Sequence, residues 1–88
     1  MRNDLATGLI TSVLEERTRQ DDLWGEATER GYTRGEWLTI LVEEVGEVAK
    51  ALNDGDITQL KTELIQVAAV ALAFSEAETQ KSQLIPDA

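Results

Sequence analysis

The sequence contains no cysteine and no histidine, and these two absences limit the chemistry open to it. Without cysteine the chain has no disulfide, no thiolate nucleophile and no zinc–thiolate site. Without histidine it lacks the usual general base and the commonest transition-metal ligand. Carboxylates, amides and hydroxyls remain, and this set favours a hard cation, with magnesium expected and manganese as the alternative.

Positive charge is also scarce, with 8 lysines and arginines against 17 acids and a formal net charge of −9. A nucleic-acid partner is therefore not expected, because phosphate-backbone binding needs clustered basic residues. Residues 1–4 lack the apolar segment of a signal peptide, and the longest apolar run, residues 64–74, is too short to span a bilayer. We therefore expect a cytoplasmic protein with no membrane partner.

Local patterns predict a single helical domain over residues 1–88. Apolar residues at helical spacing predict a first helix from about Asp4 to about Gln20, and an ordered loop from Asp21 to Tyr32. Thr33-Arg34-Gly35-Glu36 has the form of a capping box, which predicts that a second helix begins there. The sequence Asn53-Asp54-Gly55-Asp56 should end that helix.

A third helix is predicted from Asp56 to about Glu78, followed by a frayed tail over about residues 81–88. No segment shows the alternation of a strand, so the predicted fold is all-α. From Leu64 to Phe74 the third helix is apolar almost all round, and such a helix is normally enclosed on every side. Three helices cannot enclose it, so we expect an antiparallel helical bundle completed by oligomerisation.

Acidic residues on the second and third helices form the main candidate site. The core stripe of the second helix is predicted to be Trp37, Leu41, Val45, Val48 and Leu52. On the adjacent line Glu44 and Glu47 lie between apolar neighbours, and Glu63 and Gln66 are three apart on the third helix. If these pairs converge, a cation would offset their repulsion. The alternative is a solvated acidic face, with Gln66 as a core glutamine satisfied by the backbone.

Glu43-Glu44-x-x-Glu47, followed by Glu63-x-x-Gln66 and an alanine-rich helix, resembles the MazG-like all-α nucleoside triphosphate pyrophosphohydrolases. Their pattern is Glu-Glu-x-x-Glu and then Glu-x-x-Asp, and the stretch from Glu16 to Gly25 is also similar to small members of that family. The resemblance implies a homodimer or homotetramer that hydrolyses a nucleoside triphosphate to monophosphate and pyrophosphate with magnesium. The metal ligands it implies are Glu44, Glu47, Glu63 and Gln66. Gln66 departs from the pattern and removes one negative charge.

Further roles follow from the chemistry of such a reaction. Glu43 or Glu44 would orient and deprotonate the attacking water. Candidates for phosphate contacts are Lys50 and Lys61, with Arg17 and Arg19 as further options, although each is also typical of a solvated cation. Trp24 would stack on the base, with Gln20 or Asn53 bonding its edge, unless Trp24 simply anchors the loop. Trp37 is assigned to packing and Tyr32 to a hydrophobic staple.

Two other functions remain open at this point. The departure at Gln66 is compatible with a catalytically weakened relative that binds nucleotide or metal without turnover. The third interpretation is a non-enzymatic helical assembly module, in which the acids are solvated and the alanine-rich helix mediates association.

Overall fold

The computed structural model describes the backbone of residues 2–84 and the side chains of residues 3–81. This part of the chain is all-α and contains no strand. Helix α1 spans Arg2–Trp24, a short 3₁₀ helix spans Ala27–Glu29, helix α2 spans Arg34–Asp54 and helix α3 spans Ile57–Leu84. Helix α3 is the central element, because α1, α2 and the 3₁₀ helix all pack against it.

The ends of α2 are set by local capping, as the sequence predicts. The Thr33 hydroxyl accepts from the backbone N–H of Glu36 at 3.1 Å, and the Glu36 carboxylate accepts from the N–H of Thr33 at 3.0 Å. At the other end Gly55 has a φ of 70°, a left-handed conformation in which the absence of a Cβ avoids strain. The predicted start and stop of α2 are confirmed.

Helix α1 is longer than predicted, and the expected loop is shorter. The helix continues through Asp21 to Trp24, so a loop beginning at Asp21 was wrong. Arg17 and Asp21 form an ion pair at 2.8 Å across one helical turn, which supports helix where no apolar period is visible. The connection begins only at Gly25, whose φ is 86°.

Helix α3 begins as predicted, with the Asp56 carboxylate accepting from the N–H of Gln59 at 2.9 Å. It continues past the predicted end at Glu78 as far as Leu84. The tail predicted to be frayed, residues 81–88, overlaps this last part of the helix, and residues 85–88 lie outside the described residues.

An aromatic cluster anchors α2 to α3. Trp37 is buried, its ring stacks on Phe74 with 5.9 Å between centroids, and Tyr32 meets it edge-on at 5.0 Å. Tyr32 precedes the cap and Trp37 is the fourth helical residue, so the two form the hydrophobic staple expected at Tyr32. The packing role predicted for Trp37 is confirmed.

The predicted core stripe of α2 was partly wrong. Val45 and Leu52 are 50% and 61% exposed, whereas Glu44 is half-buried and Ala51 is buried. The side of α2 that packs against α3 is therefore rotated away from the predicted stripe and toward the line of residues that carries Glu44. Small residues explain this rotation, because buried Ala51 on α2 and buried alanines on α3 allow the two helices to approach closely.

A large apolar surface remains exposed on the single chain. Leu5, Leu9, Ile10 and Leu14 on α1 are all more than half exposed, and so is Leu64 on α3. A groove of about 700 Å³ runs between these two helices. Such a contiguous apolar surface is typical of an interaction surface.

The described residues contain one helix whose length and composition would allow it to cross a membrane, over Ile57–Lys81, where an 18-residue window reaches a mean hydropathy of 1.3. The prediction that the apolar run is too short considered only residues 64–74, and a longer window within α3 does meet this criterion. Core helices of soluble proteins meet it as well. Here α3 also carries Glu76, which is ion-paired to α1.

Helix α1 is joined to α3 by a buried arginine. Arg17 is 5% exposed, and its guanidinium donates to both oxygens of Asp21 and both oxygens of Glu76 at 2.8–3.2 Å. A guanidinium satisfied on two sides in this way is strongly held, because removal of its charge would leave two partly buried carboxylates without a partner.

Arg17→Met should lower the free energy of unfolding by about 2 kcal/mol, since the substitution keeps the bulk of the side chain and removes the buried charge. Urea unfolding followed by circular dichroism, at one protein concentration, would measure this. The matched control is Arg34→Met, which breaks the exposed pair between Arg34 and Glu78 and should cost less than about 1 kcal/mol. Equal losses for the two variants would contradict a special role of Arg17.

Candidate functional site

Acids from three helices surround Glu44. Its carboxyl, when protonated, donates a hydrogen bond to Glu63 on α3, and Glu47 and Glu16 lie close enough to act on it by their charges. Burial raises the pKa of Glu44, and the hydrogen bond to Glu63 and the three negative charges raise it further. The structure therefore brings Glu44 and Glu63 together, with Glu47 at the side.

Glu16 on α1 is a member of this group that the sequence did not single out. Its carboxylate accepts two hydrogen bonds from Arg19, at 2.8 and 2.6 Å, and its side chain is 12% exposed. The hydrogen bond from Arg19 lowers the pKa of Glu16, and burial opposes that effect. The available signals were its place at the start of the stretch similar to the MazG-like family and its spacing of four residues from Gln20. Neither signal shows what this face of the helix contacts.

Two glutamines connect the acids of α1 with α3. Gln20 is 2% exposed, and its Nε2 donates to Glu16 at 3.2 Å and to Oε1 of Gln66 at 3.3 Å. Gln66 also lies near enough to Glu16 to contribute to lowering the pKa of that carboxyl. The oxygen of Gln66 expected on a metal thus accepts a hydrogen bond from Gln20, with one lone pair left over. Gln66 is therefore not satisfied by the backbone as the alternative expected, because its oxygen is bonded by the side chain of Gln20.

The oxygen atoms of these acids suit a hard cation, but they do not converge on one position. Carboxylate oxygens of Glu44, Glu47 and Glu63 are the ligands that magnesium prefers. Within the described residues no three acids are positioned to hold one ion, and Glu63 also accepts from Gln59 at 2.6 Å. A shared ion would require these exposed or half-buried carboxylates to rotate about their side-chain bonds.

A cavity of about 240 Å³ lies beside Glu44. Its walls include the rings of Trp24, Tyr32 and Trp37, together with the amides of Gln20 and Gln66. Trp24 is 57% exposed, so the alternative in which it simply anchors a loop onto the core is wrong. Aromatic walls with a few polar groups are typical of small-molecule sites.

Arg30 is a second cavity residue that sequence reasoning missed. Its Nε donates to the carbonyl of Gly25 and its Nη2 to Asp21, both at 2.8 Å. The guanidinium carbon lies 5.8 Å from the ring centroid of Trp24 and 5.5 Å from that of Trp37, within the range of cation–π contact. Arg30 lies between Gly25 and Gly31 in a segment without periodicity, so no pattern indicated its position.

Other predicted residues lie outside the cavity. Lys50 pairs with Asp54 at 3.0 Å and lines a separate cleft of about 200 Å³ together with Glu47. Lys61 lines the apolar groove between α1 and α3, so it is not brought to the acids. Asn53 and Glu43 are exposed and line neither the cavity nor this cleft.

The two arginines offered as phosphate contacts are both engaged in ion pairs. Arg17 is buried between Asp21 and Glu76, and Arg19 pairs with Glu16 at 2.6 Å. Neither guanidinium is therefore available to a phosphate without breaking these pairs. The site therefore contains several aromatic, amide and acidic side chains and few basic side chains that are not already in ion pairs.

Comparison with known proteins adds no assignment: no protein-family model, curated protein or solved structure matches this chain. The interpretation of the site therefore depends on its geometry and on the motifs themselves.

The raised pKa of Glu44 predicts a pH-dependent gain in stability for Glu44→Gln. A raised carboxyl pKa means that ionisation opposes folding, and this penalty is absent below the ordinary value of 4.5 and complete above the raised one. Without divalent cations, Glu44→Gln should therefore melt a few degrees above the wild type at neutral pH and level with it below pH 4.5.

Thermal unfolding followed by circular dichroism would measure the difference. The matched control is Glu43→Gln, which removes the same charge from the neighbouring exposed position and should change the melting temperature less. A Glu44→Gln gain that persists unchanged at acidic pH would contradict the origin of the effect in ionisation.

Proposed function

We propose that this chain is a magnesium-dependent nucleotide pyrophosphohydrolase of the MazG-like type, which converts a nucleoside triphosphate to monophosphate and pyrophosphate. One observation supports it above the others. Glu44 lines the aromatic cavity and lies beside Glu63, so an acidic group adjoins a site suited to a base. In this proposal Glu44, Glu47 and Glu63 hold the cation and Gln66 lies at the edge of the set.

The chain's own residues provide the remaining chemistry. A bound magnesium ion would neutralise the charge that develops on the departing pyrophosphate. Glu44 is preferred to the exposed Glu43 as the group that accepts a proton from water, because it lines the cavity. The water oxygen bonds to the α-phosphorus while the bond from that phosphorus to the α–β bridging oxygen breaks.

The cavity and the cleft suggest how the substrate is oriented. The base would occupy the cavity against the exposed ring of Trp24, with Gln20 at its edge. The phosphates would pass the acids toward the cleft that Glu47 and Lys50 share. Lys50 would exchange its exposed pairing with Asp54 for a phosphate oxygen, at little cost because exposed ion pairs are weak.

Self-association is part of the proposal. The apolar groove between α1 and α3, with exposed Leu9 and Leu64 at its sides, is suited to receive the same surface of a second copy. In a homodimer or homotetramer, another copy of the chain would cover the apolar surface of α3 that α1 and α2 leave exposed. A cytoplasmic location accords with this arrangement, in which the apolar surface is covered by protein.

Two observations favour a weaker form of the same function. The Gln66 oxygen is engaged by Gln20, and the acids are not gathered around one point within the described residues. A catalytically weakened relative would bind nucleotide and release no pyrophosphate. In that case Gln66→Asp should restore release, because it returns a negative charge to the ligand set.

The enzyme proposal predicts that magnesium raises the melting temperature of the wild type and that pyrophosphate is released from at least one nucleoside triphosphate. Glu44→Gln and Glu63→Gln should each reduce kcat/KM at least about 100-fold and abolish the magnesium-dependent stabilisation. Pyrophosphate detection over a panel of canonical and damaged triphosphates, with thermal melts in parallel, would measure both effects.

Glu15→Gln is the matched control, because Glu15 is an exposed acid on α1 outside the cluster. It should leave release and magnesium response unchanged. No pyrophosphate from the whole panel with magnesium or manganese would refute the enzyme. A magnesium response unaffected by either substitution would refute the assignment of these ligands and favour the assembly module.

Self-association predicts a dimeric or tetrameric mass in light scattering at micromolar concentration. Leu9→Glu should shift the mass toward the monomer, because it places an unpaired charge in the apolar groove. Thr28→Glu introduces the same charge outside the groove and should leave the mass unchanged. A monomeric wild type would defeat this part of the proposal.

A further inference from the structure

Among the described residues Arg30 is the one cation that lines the aromatic cavity, and its orientation is fixed. Its side chain is 5% exposed, with Nε bound to the Gly25 carbonyl and Nη2 bound to Asp21. Nη1 makes no hydrogen bond to any described residue, and it is not sealed from solvent. Because a guanidinium only donates, this leaves donor capacity available at the cavity wall.

The charge of Arg30 is already balanced. Asp21 accepts from both Arg17 and Arg30, and Glu76 accepts from Arg17, so two cations face two carboxylates. The other charged group on the cavity wall is the acidic Glu44. A phosphate would find no net positive charge there, whereas a neutral acceptor such as a carbonyl oxygen would meet a fixed donor without a charge penalty.

The shape of the cavity restricts the ligand further. The Arg30 guanidinium lies over the rings of both Trp24 and Trp37, so the wall is built from flat groups. Flat heteroaromatic rings stack on such surfaces, and the ring carbonyl of a stacked base would lie near the ring edge, where a donor can meet it.

We propose that Arg30 is a specificity-determining residue that selects nucleobases with a ring carbonyl over those with an amino group at the same position. This inference rests on the proposed function, because it takes the cavity ligand to be a nucleobase. Uracil and hypoxanthine present an oxygen where cytosine and adenine present an amino group. If an amino group faced Arg30, two hydrogen-bond donors would meet. Neither N–H group would then have an acceptor, which is costly in a buried site.

Asp21 is the positioning residue in this arrangement. Its carboxylate holds Arg30 and is itself held by Arg17 at 2.8 Å, so the guanidinium does not move freely to suit an amino base. The selectivity thus comes from a donor whose direction is set by the Gly25 carbonyl and by Asp21, which Arg17 holds in turn.

The test measures binding without divalent cations, so it does not depend on hydrolysis. Quenching of the fluorescence of Trp24 and Trp37 by nucleoside monophosphates gives the affinities for two matched pairs, uridine against cytidine and inosine against adenosine. We expect the carbonyl member to bind at least about tenfold more tightly in one pair or both. Equal affinities in both pairs, a preference for the amino member, or no binding would overturn the proposal.

Variants then assign the preference to Arg30. In Arg30→Gln the amide can present either an oxygen or an N–H, so the preference should fall to about twofold or less. Arg30→Lys is the second variant, which keeps the charge and loses the fixed geometry, and it should also reduce the preference. The matched control Arg34→Gln changes an exposed arginine and should retain it. Circular dichroism confirms that each variant is folded.

A preference that survives in both folded Arg30 variants would overturn the role of Arg30. Pyrophosphate release by the wild type is measured separately. Pyrophosphate release without a preference for the carbonyl base would refute base selection by Arg30 and leave the proposed enzymatic activity standing. A preference without pyrophosphate release would refute the enzymatic activity and leave base selection by Arg30 standing.

Discussion

The Asp21 carboxylate is the point on which the arrangement of this chain depends. It accepts from Arg17, which also holds Glu76 on α3, and from Arg30, which lies on the cavity wall. One acid therefore joins the docking of α1 to the shape of the cavity. Because each arginine is nearly buried, the network would be costly to leave incomplete, and so it restricts how the connecting segment can lie.

The acids of the candidate site are subject to a different constraint. The chain carries a large negative charge, and yet Glu16, Glu47 and Glu63, from three helices, lie close enough to Glu44 to help raise its pKa. Like charges held together in this way oppose folding unless a proton or a cation offsets them. Gln20 and Gln66 connect the helices here without adding charge, which limits that cost while joining α1 to α3.

Short-range signals predicted parts of the fold well. The capping box at Thr33, the stop at Gly55 and the staple of Tyr32 on Trp37 each involve groups within one helical turn, so the sequence contains both partners. The prediction for α1 failed at Asp21 because the partners that stabilise its last turn are polar and include a residue 59 positions away from Arg17. The periodicity of apolar residues gives no information about such polar contacts.

The sequence by itself determined that the chain is helical, where α2 begins and ends, and that two acidic motifs lie on either side of the turn between α2 and α3. Only the tertiary structure decided which side of α2 meets α3, that Glu16 joins the acids, that Arg30 enters the cavity and that Lys61 does not. The physical reason is that helix rotation is set by the close approach of small residues on two helices. That approach is a property of a pair of surfaces, and no single segment carries it.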